Sequence, residues 1–230
     1  MSTNNMTQIT ALVPMRHHSQ RVPGKNYRPL NGKPLYEHII STLMSCPGIS
    51  KIVVDTDSEP IMAGLQKNFP DVYIIKRPQN LCADECSMNE ILAYDTTQVQ
   101  SDFYFQTHST NPLLSAATIT KAINIFLRYY PSYDSLFGVT RLQNRLWDQL
   151  TRPINHNPAI LLQTQDLPPV YQENSCLYIF TKEILLERRN RLGERPYMFE
   201  INAQEAWDID NELDFLVTEY LLENLREHAN

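Results

Sequence analysis

Short apolar runs alternate with longer amphipathic segments over most of the chain. The runs of strand length lie at residues 9–13, 51–57, 72–75, 101–107, 133–140, 173–180 and 197–201. Apolar residues recur at helical spacing in segments 34–46, 58–67, 87–97, 115–129 and 212–226. Such alternation is typical of a parallel sheet with helices packed on its faces. The pattern therefore predicts an α/β protein with a Rossmann-like, mostly parallel sheet flanked by helices.

Segment 141–172 interrupts this alternation. It contains several prolines, Asn and Gln residues and the cations Arg141, Arg145 and Arg152, with little helical periodicity. An excursion of this kind from a compact α/β domain is usually a surface arm, an oligomerisation element or a lid. We therefore expect one domain over residues 1–230, with a candidate arm or lid at 141–172.

A basic loop follows the first predicted strand and carries Arg16, Arg21, Lys25 and Arg28. Four cations on one loop repel each other, so an anionic partner would stabilise the arrangement. Loops at the carboxyl ends of parallel strands bind ligands in open α/β sheets. Backbone N–H groups together with Lys and Arg side chains suit a polyphosphate. The alternative is a solvated basic loop without a ligand.

Asp208 and Asp210 form a second candidate group near the end of the chain. Alternate residues of an extended chain face the same side, so both carboxylates can face one site. Two carboxylates together with substrate phosphates are a usual environment of Mg²⁺. With the basic loop opposite, they would complete a metal–polyphosphate site. The alternative is an Asp N-cap beside a solvated acid, at the start of predicted helix 212–226.

Composition limits the class of protein. The net charge of −6 argues against nucleic acid as the main partner. No run of 18 apolar residues could cross a membrane, and the polar N-terminal residues 1–9 lack the apolar core of a secretion signal. We therefore expect no membrane association and a cytoplasmic location. The four cysteines lack the spacing of a zinc site and are expected to be reduced thiols: Cys46, Cys82, Cys86 and Cys176.

Common nucleotide-binding and hydrolase motifs are missing. Gly24-Lys25 has neither the upstream glycine nor the following Ser or Thr of a Walker A sequence. No Gly-x-Gly-x-x-Gly or Gly-x-Ser-x-Gly pattern occurs. Adjacent side chains rarely converge on a metal, so we interpret His17 and His18 as loop residues.

Six ordered segments nevertheless follow one known motif pattern. They are Leu12-Val-Pro-Met-Arg-His-His-Ser-Gln-Arg-Val-Pro-Gly-Lys-Asn, Val53-Val-Asp-Thr-Asp-Ser-Glu, Arg77-Pro-x-x-Leu, His108-Ser-Thr-Asn-Pro-Leu, Asn174-Ser-Cys-Leu-Tyr-Ile and Trp207-Asp-Ile-Asp-Asn-Glu-Leu-Asp-Phe. In this order they resemble the motifs of CMP-sialic acid synthetases, the acylneuraminate cytidylyltransferases. The resemblance extends over most of the chain.

The resemblance implies a nucleotidyltransferase fold, a homodimer formed through the arm at 141–172, and a reaction. In that reaction CTP and a 2-keto-3-deoxy sugar acid give a CMP-sugar and pyrophosphate. By position it assigns Mg²⁺ binding to Asp208 and Asp210, and catalysis to these two residues with Arg16 and Lys25. It assigns nucleotide binding to Arg16, Ser19, Lys25, Asn26, Arg77 and Ser87. It assigns the sugar acid to Gln106, His108 and Tyr178, with Arg145 as a candidate cation.

The chain departs from the family pattern at several positions. His17 and His18 replace two glycines, His108 replaces a glutamine, and Thr164 replaces an arginine that grips the sugar. Arg145 or Arg141 is the candidate replacement for that arginine. The departures keep two alternatives open. One is another acceptor, such as 3-deoxy-manno-octulosonate or a phosphonate; the other is a non-catalytic nucleotide-binding relative.

Overall fold

Within residues 7–227 the protein has nine strands, and seven of them form the main sheet. The structure, a computed structural model, describes the backbone of residues 7–227 and side chains up to residue 224. The polar segment expected at 1–9 thus lies partly outside the described residues, as does the end of the chain. The strands are β1 (Ile9–Leu12), β2 (Pro29–Leu30), β3 (Lys33–Pro34), β4 (Lys51–Thr56), β5 (Tyr73–Lys76), β6 (Phe103–Thr107), β7 (Ser135–Leu142), β8 (Val170–Phe180) and β9 (Pro196–Glu200).

The sheet is mostly parallel, as predicted. Its order is β5-β4-β1-β6-β8-β7-β9, and β8 alone runs antiparallel to both of its neighbours. Strands β2 and β3 form a separate hairpin, which the hydrophobic pattern did not predict. Parallel β1, β4, β5 and β6 end at the same edge of the sheet, so the loops that follow them lie together there.

Helices cover the two faces of the sheet. They are α1 (Leu35–Met44), α2 (Glu59–Asn68), α3 (Met88–Gln98), α4 (Ala116–Tyr129), α5 (Lys182–Arg188) and α6 (Glu212–Glu227). Helix α3 begins with a capping box, in which Ser87 and Glu90 each bond the backbone N–H of the other. The short helix α5 was not predicted. No helix within residues 7–227 combines the length and the apolar character that a membrane span requires.

The segment between β7 and β8 extends away from the sheet. The two strands pair out to Leu142 and Val170, and the chain between them makes an isolated bridge from Trp147 to Pro153. It is irregular apart from one short 3-10 turn at Thr164–Asp166. Exposed apolar side chains along it are Trp147, Leu150, Ile154, Ile160 and Leu161.

Candidate functional site

A cavity of about 490 Å³ opens at the edge where the parallel strands end. Its volume lies within the range of roughly 300–1,000 Å³ that is common for small-molecule sites. Three stretches of chain line it: the basic loop after β1, the segment after β5, and the first residues after β6. The lining side chains that can bind an anion or donate hydrogen bonds are Arg16, Ser19, Gln20, Arg21, Lys25, Asn26, Arg77, His108, Ser109 and Thr110.

The basic loop is anchored through His17, one of the two histidines that depart from the family pattern. Its backbone N–H donates to the Asp57 carboxylate over 2.7 Å, and its Nδ1 lies 2.8 Å from the Ser58 hydroxyl. Its ring also stacks on Tyr27, with the centroids 5.2 Å apart. Ser58 occupies the N-cap position of α2, but its side chain makes no capping bond. The histidine therefore fixes the loop to the end of β4.

Asn26 holds the other side of the loop. Its buried amide donates to the Arg16 carbonyl over 2.8 Å and accepts from the Ser109 hydroxyl over 2.7 Å. Both ends of the amide are thus occupied by protein partners. Asn26 lines the cavity, but its side chain mainly joins the loop to the end of β6.

Two cations of the loop pair with carboxylates at the cavity mouth. Arg16 contacts Asp84 and Arg21 contacts Asp210, each over 2.6 Å. All four side chains are well exposed, and exposed pairs of this kind contribute only about 0–1 kcal/mol. An anionic ligand can therefore replace these carboxylates at small cost in free energy.

Lys25 lies deeper than the two arginines. Its Nζ donates to the Ile209 carbonyl over 2.5 Å, across 184 residues of sequence. Burial lowers the pKa of Lys25, while the carboxylates of Asp208 and Asp210 act in the opposite direction. The basic loop and the acidic segment thus meet at this lysine.

The acidic segment is extended, with Asp208 and Asp210 on either side of the fully buried Ile209. The Ile209 N–H donates to the Thr110 carbonyl over 2.9 Å, which fixes the segment beside the cavity. Desolvation raises the pKa of Asp208, and the charge of Asp210 adds to this effect. Within residues 7–227, no group of three or more His, Cys, Asp or Glu side chains is arranged to hold a metal. Two hard carboxylate donors near bound phosphates still match the way Mg²⁺ is usually held.

A buried cluster of one arginine and two acids lies at the cavity wall, which Arg77 lines. The Arg77 guanidinium is hydrogen-bonded to Asp55, and Asp95 lies beside them, with all three residues at most 7% exposed. Both Asp95 oxygens and one Asp55 oxygen lack a hydrogen-bond donor. A proton shared between the two carboxyl groups would satisfy one oxygen of Asp95 and the free oxygen of Asp55. Burial, together with the Asp55 charge, raises the pKa of Asp95 to about 9, so this acid is neutral at pH 7.

A second arginine, Arg191, is partly exposed and packs over β6 and β8. Its NH1 donates to the Gln106 carbonyl oxygen, and its guanidinium carbon lies 3.8 Å from the centre of the Tyr178 ring. The Gln106 amide nitrogen lies 3.0 Å from His108 Nε2. Because this nitrogen is a donor, the ring proton of His108 resides on Nδ1. Burial, with the charges of Arg191 and Lys25, lowers the pKa of His108 to about 4.

The structure brings most of the sequence-predicted site residues together. Arg16, Ser19, Lys25, Asn26, Arg77 and His108 line the cavity, and Asp208 and Asp210 lie beside Lys25. Gln106 and Tyr178 are buried behind His108.

Two predicted residues are placed elsewhere. The Ser87 hydroxyl caps α3 and lies outside the cavity lining. Arg145 belongs to the segment between β7 and β8, where its guanidinium bonds the Leu162 carbonyl. Sequence reasoning missed Asp84, Asp95 and Arg191, and it did not single out Asp55. Among these residues the sequence offered a signal at Asp55, because an aspartate stands there in place of a serine of the family motif that begins at Val53.

Comparisons with known proteins agree with this geometry. A family model described as cytidylyltransferase matches residues 10–228. N-acylneuraminate cytidylyltransferase A of Danio rerio is 27% identical over 219 residues, which cover 92% of this chain and 50% of the relative. CMP-N,N'-diacetyllegionaminic acid synthase of Legionella pneumophila is 27% identical over 230 residues, covering 94% of this chain and 97% of that protein.

The fold is also found among solved structures. A CMP:2-keto-3-deoxy-manno-octonic acid synthetase in complex with CTP superposes with a TM-score of 0.72 at 13% identity, over 95% of this chain and 99% of that one. Of the two sequence relatives, the chain spans about half the length of the Danio rerio protein and nearly all of the Legionella pneumophila protein. Because the family model covers almost the whole chain, the protein belongs to the cytidylyltransferase family and is an enzyme of the nucleotidyltransferase class.

Proposed function

We propose that the protein transfers CMP from CTP to a 2-keto-3-deoxy sugar acid of the sialic or nonulosonic type and releases pyrophosphate. The observation that carries this proposal is the meeting of the basic loop with the acidic segment at Lys25, beside the 490 Å³ cavity. Cations on one side and a carboxylate pair on the other are what a metal-bound triphosphate needs.

The cations of the loop bind the triphosphate. Lys25 is held by the Ile209 carbonyl and is directed between the loop and the acidic segment. Arg16 and Arg21 exchange their carboxylate partners for phosphate oxygens, which form stronger, forked contacts with guanidinium groups. Positive charge fixed before the reaction stabilises the charge that develops as pyrophosphate leaves.

Asp208 and Asp210 are the residues that would hold Mg²⁺. When bound, Mg²⁺ neutralises phosphate charge and orients the phosphate groups. The release of Asp210 from Arg21 frees a carboxylate for the ion at the same time as it frees a cation for phosphate. The anomeric oxygen of the acceptor attacks the α-phosphorus, the bond to pyrophosphate breaks, and the hydroxyl proton passes to a carboxylate of the acidic segment or to water.

The acceptor lies on the β6–β8 side of the cavity, next to His108, Gln106 and Tyr178. With His108 neutral at pH 7, its Nδ1–H is a donor for a hydroxyl or carbonyl group of the acceptor. The relatives are named for neuraminate and legionaminate substrates, and the structural neighbour is named for an octonic acid. The acceptor class is therefore an acid with the keto-deoxy pattern common to these sugars.

The protein is proposed to act as a homodimer through the segment between β7 and β8. The exposed apolar residues there include Leu150 and Leu161, and Leu161 is 89% exposed in the isolated chain. A second copy would cover them, because contiguous exposed apolar groups favour association. Sedimentation velocity of the purified protein tests this, and a monomer at micromolar concentration would contradict it.

A pyrophosphate-release assay tests the activity. CTP and Mg²⁺ are supplied with N-acetylneuraminate, N,N'-diacetyllegionaminate or 3-deoxy-manno-octulosonate, and ATP, GTP and UTP serve as controls. We expect release with CTP and at least one acid, and none without an acid. CTP binding without turnover with any of the acids would instead indicate a non-catalytic nucleotide-binding relative.

The variant Asp210→Asn tests the metal assignment. It removes a charged metal ligand but leaves a similar shape and a polar oxygen, so we expect turnover to fall by at least about 100-fold, while CTP still binds weakly. Activity and calorimetric CTP binding are measured over a Mg²⁺ titration. Glu212→Gln, a neighbouring acid paired with Arg28, is the matched control. Unchanged turnover in Asp210→Asn would remove this residue from the metal site.

A further inference from the structure

Arg191 is a partly exposed cation whose neighbours are mostly neutral. Its NH1 bonds a Gln106 amide, its plane covers the Tyr178 ring, and its buried Nε has no hydrogen-bond partner. Within residues 7–227, no carboxylate oxygen lies within 4.0 Å of its guanidinium group. The Glu173 carboxylate accepts a hydrogen bond from the Tyr178 hydroxyl and affects Arg191 only through its charge, from a longer distance. A guanidinium that is partly removed from water without a paired anion carries a desolvation cost, which a carboxylate ligand would offset.

The position of Arg191 relative to the cavity suggests which ligand it takes. His108 lines the cavity, and both Arg191 and Lys25 are close enough to influence its protonation. One cation therefore lies on the nucleotide side of this neutral histidine, and the other lies on the β6–β8 side. Arg191 itself lies behind the cavity lining, yet it retains partial exposure.

We propose that Arg191 binds the carboxylate of the sugar-acid acceptor, an inference that rests on the proposed function. Arg191 would thereby take over the role of the family arginine that Thr164 replaces. The sequence had suggested Arg145 or Arg141 for this role. Arg145 is instead bonded to the Leu162 carbonyl on the segment between β7 and β8. In keto-deoxy acids the carboxylate is attached to the anomeric carbon, so its capture also positions the attacking hydroxyl.

Gln106 and Tyr178 orient the guanidinium for this role. Gln106 is fully buried and bonds His108 through the other end of its amide, so the Arg191–Gln106–His108 chain has one fixed direction. The Tyr178 ring packs against one face of the guanidinium. A forked cation held in this way is suited to a planar carboxylate, since two parallel N–H donors match two oxygens.

The variant Arg191→Met tests the assignment by steady-state kinetics at saturating CTP. The acceptors are a keto-deoxy sugar acid and the same sugar with its carboxylate converted to a carboxamide. We expect the KM for the acid to rise about 10- to 100-fold, the range for the loss of a charged hydrogen-bonded contact. The KM for the carboxamide should change less than about threefold, since its contact with Arg191 is neutral. The calorimetric Kd for CTP should be unchanged.

Arg188→Met is the matched control, because Arg188 lies on α5 and pairs with Glu194 at the surface. Its KM values should equal those of the unaltered protein. An equal rise in KM for acid and carboxamide, or a weaker Kd for CTP, would show that Arg191 acts only through the packing of the sheet. Unchanged KM values for both acceptors would overturn the proposal as well.

Two further arms keep the outcome decisive. If Arg191→Met does not fold, Arg191→Lys keeps the charge but loses the forked contact, and the acid KM should still rise about three- to tenfold relative to the carboxamide. Absence of turnover in the unaltered protein would refute the proposed function instead. Calorimetry of the acids without nucleotide then decides the role of Arg191. Equal affinity for both proteins, or no binding to either, overturns it.

Discussion

Arg77 and Arg191 both lie next to the candidate site, the first buried and the second partly exposed, and their electrostatic surroundings differ. Arg77 is hydrogen-bonded to Asp55 and lies beside a second acid, Asp95. Arg191 contacts an amide and an aromatic ring, and one of its buried N–H groups has no partner. The comparison distinguishes a cation that the fold itself neutralises from a cation that a ligand is left to neutralise. The first is expected to stabilise the folded chain, and the second to recognise a substrate.

The largest expected difference is in stability. Arg77→Met leaves buried Asp55 without its cation, which should lower the free energy of unfolding by about 3–5 kcal/mol. Arg191→Met should lower it by about 1–3 kcal/mol, because no charge is left unpaired but the buried Gln106 carbonyl oxygen loses its donor. Urea denaturation at pH 7 measures both values. Equal losses for the two variants would mean that the comparison is wrong.

The next effect is in the pH dependence of stability. In the folded state burial and the neighbouring Asp55 carboxylate raise the pKa of Asp95 to about 9, against the opposing charge of Arg77. In the unfolded chain it titrates near its ordinary value of 3.8. Between these two values only the folded state binds the proton, so rising pH favours unfolding, by at most about 1.4 kcal/mol per pH unit. Above about pH 9 this contribution becomes constant.

Asp95→Asn tests that interpretation. The amide resembles the protonated acid in shape and cannot ionise, so the variant should be the more stable form at pH 8 to 9 and should show a flatter profile. Urea denaturation at several pH values above 7 avoids the titration of histidines. If the two profiles were parallel over this range, Asp95 would not carry the proton.

The smallest effect concerns the distant charge near Arg191. Glu173 lowers the net positive charge of the Arg191 site while bonding the Tyr178 hydroxyl. Glu173→Gln keeps an acceptor for that hydroxyl and removes the charge, so the KM for the acid should fall about two- to threefold, or about 0.5 kcal/mol at an effective dielectric typical of a protein surface. Glu187→Gln, an exposed change of equal charge on α5, is the control. A rise in KM would show that Glu173 contributes by position and not by charge.

Much of the fold could be predicted because its signal is local. Ser87 with Glu90 and the apolar runs of the strands act within a few residues, and the structure confirms those elements. The antiparallel direction of β8 and the short helix α5 were missed. The direction of a strand depends on its pairing, here with β6 and β7, which the period of the side chains does not record. Helix α5 has only seven residues, too few for a clear helical period.

In the candidate site, too, the residues with a local sequence pattern could be predicted and those that depend on packing could not. The cations of the basic loop were recognised because they occur in one short segment, and Asp208 and Asp210 because they alternate. Arg191 lies in a polar loop with several other arginines, and only the packing of that loop over β6 and β8 separates it from them. The role of Asp55 depends on the pairing of β4 with β5, which places Asp55 near Arg77.

The contacts from the basic loop to the acidic segment and α6 link the start and the end of the chain. Lys25 reaches Ile209, Arg21 reaches Asp210, and Arg28 reaches Glu212, each across at least 184 residues. During synthesis on a ribosome, a nascent chain can therefore form most strands of the sheet before it can form the proposed triphosphate site. The proposed site would be complete only after the acidic segment leaves the exit tunnel.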